Sequence, residues 1–216
     1  MTVQVEVPQQ QRVEGLDRDF ALMRRRRMMS LDHGVTLAAL TEGQTDALRC
    51  SGIVRRDLRR SFGKATGVAR GVPLTVRLRL VSANSGRPLA GRALYLWHAD
   101  RDGAYSLHSP GLAERNYLRG VQVTDEAGWV TFSTIFPGAH DGRWPHLHVE
   151  DLSGPVVQVA LPGDACASAY GAPGYEQSAT HLALATPVTD DGGELTMATV
   201  TGDPARGLVA TRTISI

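Results

Sequence analysis

Apolar and polar residues alternate one by one between Leu74 and Leu80, where the chain reads L-T-V-R-L-R-L. Successive side chains of a β-strand point to opposite faces of the sheet. This period of two therefore predicts a strand with one face in the core and the other in water.

Further short strands are predicted along the rest of the chain, and turn residues separate them. They cover residues 94–98, 121–123, 129–133, 144–149, 156–161, 195–201 and 208–216. The turn signals are Asn84-Ser85-Gly86, Asp102-Gly103 and Ala127-Gly128, and the last of these predicts a hairpin around residues 125–128. Many short strands joined by turns indicate a sandwich or a barrel. We predict an all-β, antiparallel β-sandwich over residues 70–216.

The first 69 residues have a different character. Residues 1–12 are polar and are expected to form an arm. Between Val13 and Met29, a stripe of Leu16, Phe20 and Met23 at helical spacing predicts a helix, and a second short helix is predicted around residues 37–50. We expect residues 1–69 to form an N-terminal arm and helical segment ahead of a single domain.

Charge and cysteine content exclude several classes of protein. The 216 residues include 23 Lys and Arg against 22 Asp and Glu, a net charge of +1. A protein that binds nucleic acid or a membrane surface would show a basic excess. Cys50 and Cys166 are the only cysteines, too few for a disulfide scaffold or a thiolate zinc site. The two could form one bridge, but we expect both to be reduced thiols.

The only charge run is Arg24 to Arg27. Arginines ahead of an apolar stretch are typical of an export signal, but Asp32 and His33 interrupt the stretch that follows. We therefore expect a cytoplasmic protein, and no stretch approaches the roughly 20 apolar residues of a membrane span.

Three of the seven histidines lie within nine residues, in the segment A-H-D-G-R-W-P-H-L-H. His146 and His148 are two apart, so on a strand they point to the same face. Paired imidazoles suit iron, copper or zinc. On spacing alone, a surface pair is an equally good interpretation, but His140 could supply a third imidazole and so favours a metal site.

The remaining histidines show no comparable pattern. His98 lies on a predicted strand and is expected to be a buried, hydrogen-bonded core residue, while His33, His108 and His181 have no partners in the sequence. The sequence contains no serine nucleophile motif, phosphate loop or dinucleotide fingerprint.

Four segments together resemble the intradiol ring-cleavage dioxygenases, the family of catechol and protocatechuate dioxygenases. They are G-V-P-L-T-V-R-L-R-L-V, L-Y-L-W-H-A-D-R-D-G-A-Y-S, N-Y-L-R-G-V-Q-V-T-D-E-A-G-W-V-T-F-S-T-I-F-P-G and G-R-W-P-H-L-H. Their order and spacing make the resemblance specific over residues 70–160. The segment from residue 158 to residue 201 is similar to an actinobacterial-type branch of this family.

The resemblance implies a β-sandwich and a ferric iron held by two tyrosines and two histidines. The first tyrosine corresponds to Tyr105, and the histidine pair corresponds to His146 and His148. Arg143 corresponds to an arginine that faces the substrate, and Gln158 to a glutamine that supports the site from behind the ligands.

The sequence departs from the family at three functional places. His140 stands where the second tyrosine ligand is expected, so the implied set becomes three histidines and one tyrosine. A Gly-Pro-Tyr segment expected near residues 42–50 is missing, and the export signal looks eroded. These departures indicate a member of the family with a changed function, such as a step in a specialised biosynthetic pathway.

The resemblance implies a mononuclear non-haem iron oxygenase that uses dioxygen on a catechol-like or phenolic substrate. His140, Arg143 and Gln158 would assist catalysis, with His140 as ligand or base. One alternative is an enzyme that no longer cleaves rings, such as a cyclase, isomerase or hydrolase, in which ferrous iron, zinc or copper would also suit the three histidines. Another is a non-catalytic partner subunit. A homodimer is one expectation for the assembly.

Overall fold

The protein is described by a computed structural model that covers residues 15–29, 51–186 and 195–216. Its nine strands and three helices in these ranges are α1 (Leu16–Arg25), β1 (Pro73–Val81), β2 (Ala93–Trp97), β3 (Arg119–Val123), β4 (Trp129–Ile135), β5 (His146–Asp151), β6 (Val156–Ala160), α2 (Gly163–Tyr170), α3 (Glu176–Leu184), β7 (Leu195–Met197), β8 (Thr199–Asp203) and β9 (Gly207–Ser215). Sheet I has the strand order β4-β1-β9-β8, and sheet II has the order β3-β2-β5-β6-β7.

The main hydrophobic core lies between the two sheets. Sheet I contributes the apolar face of β1, and Leu74, Val76, Leu78 and Leu80 are all buried, as the alternation predicted. Sheet II contributes the alternate residues of its central strands, among them Leu147 on β5. The predicted all-β sandwich is therefore confirmed.

The sheets differ from the prediction in being mixed. β1 pairs with β9 in parallel, and so does β6 with β7, while the other strand pairs are antiparallel. Parallel neighbours need a crossover connection, commonly a helix. Helices α2 and α3 supply the crossover between β6 and β7, and no pattern in the sequence predicted them.

The hairpin predicted around residues 125–128 is wrong. The turn itself forms, with the Gly128 N–H donating to the Asp125 carbonyl at 2.9 Å. However, β3 pairs with β2 in sheet II, whereas β4 pairs with β1 in sheet I. The turn residues determine where the chain reverses direction. They do not determine which strands β3 and β4 pair with, because that depends on residues in other strands. The strand predicted over 195–201 is likewise divided at Ala198 into β7 and β8, which belong to different sheets.

Helix α1 covers the outer face of sheet II. The predicted stripe of Leu16, Phe20 and Met23 is buried against Tyr95 and Val121. A carboxylate oxygen of Glu150 accepts the Leu16 N–H at 2.8 Å, which satisfies one unpaired donor of the first turn. The helix predicted over 37–50 lies outside the described residues.

The arginine run belongs to the end of α1. Arg24 and Arg25 lie in its last turn, where positive charge is favourable. The Arg26 side chain donates to the carbonyls of Leu107 and Ala113, at 2.8 and 2.7 Å. Within the part of the chain described, no helix is long and apolar enough to cross a membrane.

Candidate metal centre

Strand β5 places His146 and His148 on the face of sheet II that points away from the sandwich core. Leu147 and Val149 between and after them face the core, and alternation turns the histidines to the outer face. Both histidines are almost fully buried, with 6% and 5% of their surface exposed. They do not form a surface pair.

Two loops bring further side chains to this pair. A turn in which the Arg143 N–H donates to the His140 carbonyl at 2.8 Å places His140 before β5. Tyr105 comes from the loop between β2 and β3, where its own N–H donates to the Ser109 hydroxyl at 2.8 Å. All four side chains, Tyr105, His140, His146 and His148, meet at one place.

The four side chains form a chain of close contacts between potential donor atoms. Nε2 of His146 lies 3.0 Å from Nε2 of His148, which lies 3.5 Å from the Tyr105 hydroxyl. That hydroxyl lies 3.3 Å from Nε2 of His140. Metal bonds to nitrogen and oxygen are about 2 Å long, so neighbouring donors around one ion are about 3 Å apart, and these three neighbouring pairs have separations of that size.

Tyr105 links His140 to the histidine pair. Among the described residues, no three His, Cys, Asp or Glu side chains are grouped closely enough to hold a metal by themselves. The ring centroids of His140 and His146 are 6.4 Å apart, and the phenol oxygen of Tyr105 lies between them in the chain of contacts.

The hydrogen bonds and burial of the histidine pair suit metal binding. Nδ1 of His146 donates to the Trp144 carbonyl at 2.6 Å, so its neutral ring presents a lone pair on Nε2. Burial lowers the pKa of His146 to about 4. Burial and then the neighbouring His146 and Arg143 charges also hold the pKa of His148 well below its usual value. Both rings are therefore neutral at pH 7, the form that binds metals.

Trp97 fixes the plane of the His148 ring. The two rings stack with centroids 4.7 Å apart and planes inclined by 4°. When His148 carries its proton on Nε2, this nitrogen can donate a hydrogen bond to His146. When the proton is on Nδ1, Nε2 has a free lone pair and can bind the same cation as His146.

A cavity of about 410 Å³ opens beside these residues, which is the size of a small-molecule site. It is lined by Asp19, Trp97, Gly103, Tyr105, His108, Ser109, Pro110, His140, Asp141 and Arg143. Arg143 is thus placed at the cavity. Gln158 pairs with His148 in the register of β5 and β6 and shares its face of the sheet, but it does not line the cavity.

A buried charge network, which no sequence pattern predicted, forms part of the cavity wall through Asp19 and His108. Asp19 of α1 is 1% exposed and pairs with the fully buried Arg119 of β3. Tyr95 donates to the same carboxylate at 2.6 Å, and Nε2 of His108 lies 2.6 Å from its other oxygen. His108 was assigned no partner because Asp19 is 89 residues away in sequence. One signal could have found the network: Asp19 lies on the apolar stripe of α1.

The interpretation of His98 as a core residue is confirmed. It is fully buried, and its ring nitrogens bond to the Thr134 hydroxyl and the Ala99 carbonyl, both at 2.7 Å. Burial lowers its pKa to about 4. It therefore remains a neutral structural residue outside the cluster.

Comparison with known proteins gives concordant results. Residues 54–158 match a protein-family model, Dioxygenase_C, described as "Dioxygenase". A chlorocatechol 1,2-dioxygenase of Rhodococcus opacus is 32% identical in an alignment that covers 32% of this chain and 34% of the relative. This chain therefore matches about a third of the length of that curated relative.

A solved structure shows the same fold. An intradiol ring-cleavage dioxygenase from Tetranychus urticae superposes with a TM-score of 0.58 at 23% identity, over 76% of this chain and 86% of that one. A dioxygenase domain from Streptomyces sp. SirexAA-E is 27% identical, with a TM-score of 0.49 over 76% of this chain and 87% of that one.

Proposed function

Because this chain belongs to the intradiol ring-cleavage dioxygenase family, we propose that it is a mononuclear non-haem iron oxygenase acting on a catechol-like or phenolic substrate. The observation that carries the proposal is the cluster of one phenol and three imidazoles, of which Tyr105 and His140 line a cavity large enough for one aromatic ring. Tyr105, His146 and His148 would hold the iron. Its location in the cytoplasm and its assembly as a homodimer remain predictions.

The remaining polar groups suit an anionic substrate. Bound iron would supply the Lewis acidity and electron transfer that make a catecholate reactive toward dioxygen. Arg143 lines the cavity and would offset negative charge on the substrate. His140 lines the cavity and would accept a proton from a substrate hydroxyl or act as a fourth ligand. Gln158 shares the face of His148 and would act from behind it.

His140 also supports a second candidate function. Three neutral imidazoles with one phenolate leave a bound ion more positive by one unit than two imidazoles with two phenolates. A more positive centre favours the lower oxidation state. A metal enzyme of this fold that does not cleave rings, with ferrous iron, zinc or copper, is therefore the alternative.

The first experiment measures the iron content, the visible absorption spectrum and the oxygen uptake of the same protein sample. After anaerobic loading with ferrous iron and exposure to air, we expect one iron per chain and visible absorption from an iron-bound phenolate. Added catechol should change the spectrum and be consumed one for one with oxygen. The matched control is Tyr105→Phe, which keeps the ring but loses the phenolate, and should lose the absorption. Iron and catechol bound without oxygen uptake would reject ring cleavage in favour of the second candidate.

His140→Tyr is expected to rebuild a two-tyrosine, two-histidine set. An anionic oxygen ligand stabilises the higher charge, so the variant should hold ferric iron more firmly and absorb more strongly in the visible range. His140→Phe has nearly the same size without the oxygen and should show neither effect. Identical spectra and iron retention in both variants would mean that position 140 does not face the metal.

A further inference from the structure

One wall of the cavity is formed by a turn that the metal ligands do not account for. His108, Ser109 and Pro110 line the cavity just after Tyr105. The turn is tight, because the N–H groups of His108 and Ser109 both donate to the Tyr105 carbonyl, at 3.2 and 2.9 Å. The His108 ring is therefore held beside the place where a substrate would sit.

A buried carboxylate fixes the orientation of the His108 ring. Its Nε2 lies 2.6 Å from one oxygen of Asp19. The other oxygen is occupied by the Tyr95 hydroxyl at 2.6 Å and by the Arg119 guanidinium. With both oxygens engaged, Asp19 can hold the histidine in only one orientation.

The same contacts determine which nitrogen carries the proton. The positive charge of Arg119 lowers the pKa of Asp19 against the opposing effect of its burial, so this carboxylate is ionised and can only accept hydrogen bonds. Nε2 of His108 must then be the donor, which leaves Nδ1 as the ring nitrogen that can accept a hydrogen bond when it carries no proton. Within the ranges 15–29, 51–186 and 195–216, Asp19 is the only side chain hydrogen-bonded to His108, so Nδ1 is left for a ligand.

The negative charge of Asp19 next to the His108 ring is balanced by a positive charge. Arg119 is fully buried and neutralises Asp19. This ion pair therefore adds no net charge behind His108, and an Nδ1 without a proton complements a neutral donor better than an anion.

We propose that His108 is a specificity-determining residue whose Nδ1 accepts a hydrogen bond from a hydroxyl or amino substituent of the aromatic substrate. Asp19 is the positioning residue, acting through His108. This inference rests on the proposed function, because it assumes that a catechol-like ring occupies the cavity.

Pairs of probes of equal size test the inference. Pyrogallol and 3-methylcatechol differ by a hydroxyl in place of a methyl group, as do hydroxyquinol and 4-methylcatechol. Dissociation constants would be measured by calorimetry on the iron-loaded protein without oxygen. We expect the hydroxyl member of at least one pair to bind about tenfold more tightly, the effect of one neutral hydrogen bond.

Two variants separate the acceptor from the contact with Asp19. In His108→Gln, the side-chain amide can still donate to Asp19, but no acceptor remains at the position of Nδ1, and the preference should disappear. In His108→Asn, the shorter side chain places its carbonyl oxygen near the position of Nδ1, and part of the preference should return. A purely structural role for His108 would change stability without changing this ratio.

The outcomes distinguish this inference from the proposed function. Equal binding within both pairs, a preference retained in His108→Gln, or tighter binding of 3,4-dihydroxybenzoate than of hydroxyquinol would overturn the role of His108. In each case catechols would still bind, and the proposed function would stand. If none of the probes binds, the proposed function fails and this inference fails with it.

Discussion

His148→Ala is expected to reduce iron affinity by more than about 100-fold, since even groups that only support metal ligands are worth about 10–100-fold. Nε2 of His148 is central to the cluster, because it contacts both His146 Nε2 at 3.0 Å and the Tyr105 hydroxyl at 3.5 Å. Its removal leaves His146 separated from the two loop residues. Iron per chain after loading and dialysis against a chelator gives the result directly.

The control for this variant is His181→Ala. His181 is a partly buried histidine on α3 and does not belong to the four-residue cluster. It should retain full iron. Thermal unfolding of both metal-free variants shows whether loss of the stacking of His148 on Trp97 has damaged the fold. Full iron retention in a folded His148→Ala protein would be incompatible with the proposed ligand set.

Local patterns in the sequence predicted the parts of the fold that depend on neighbouring residues. The alternation from Leu74 to Leu80 specifies which face of β1 is buried, and no other segment is needed to interpret it. The spacing of His146 and His148 specifies a shared face in the same way. Their convergence with Tyr105 was inferred from family resemblance, because 41 positions of chain separate Tyr105 from His146 and no local rule joins them.

Other features depend on residues distant in sequence, and local patterns could not predict them. The turn at Asp125 was predicted correctly. However, the strands on either side of it join different sheets, because β3 pairs with β2 and β4 pairs with β1. Helices α2 and α3 carry weak amphipathic patterns. The contact between Asp19 and Arg119 joins α1 to β3 across 100 residues.

The position of the cluster explains why the N-terminal helix matters for function. The cluster lies on the outer face of sheet II, outside the sandwich core, so it needs a separate cover to exclude water. Helix α1 buries the neighbouring part of this face through Leu16, Phe20 and Met23. It also supplies Asp19, which anchors both β3 and the turn that carries His108.

Asp19→Ala is expected to lower the free energy of unfolding by about 3–5 kcal/mol, the usual cost of removing one partner from a buried ion pair. The reason is that Arg119 is fully buried and would keep its charge without the carboxylate beside it. Denaturant unfolding of the metal-free protein measures the change. Asp17→Ala is the control, since Asp17 is exposed in the same turn of α1, and it should cost less than about 1 kcal/mol.

The pH dependence of the same variant identifies the charge as the cause. Burial opposes ionisation of Asp19, but Arg119 and the hydrogen bonds from His108 and Tyr95 outweigh it, so the pKa is below its unfolded value. A carboxyl group with a lowered pKa contributes stability above its unfolded pKa of about 3.9, and this contribution is lost as the pH falls through the folded value. The stability difference between wild type and Asp19→Ala should therefore be constant near neutral pH and shrink below about pH 4. A difference that stays constant down to pH 2 would mean that Asp19 stabilises the protein through packing, and that the ion pair beneath the cavity contributes little.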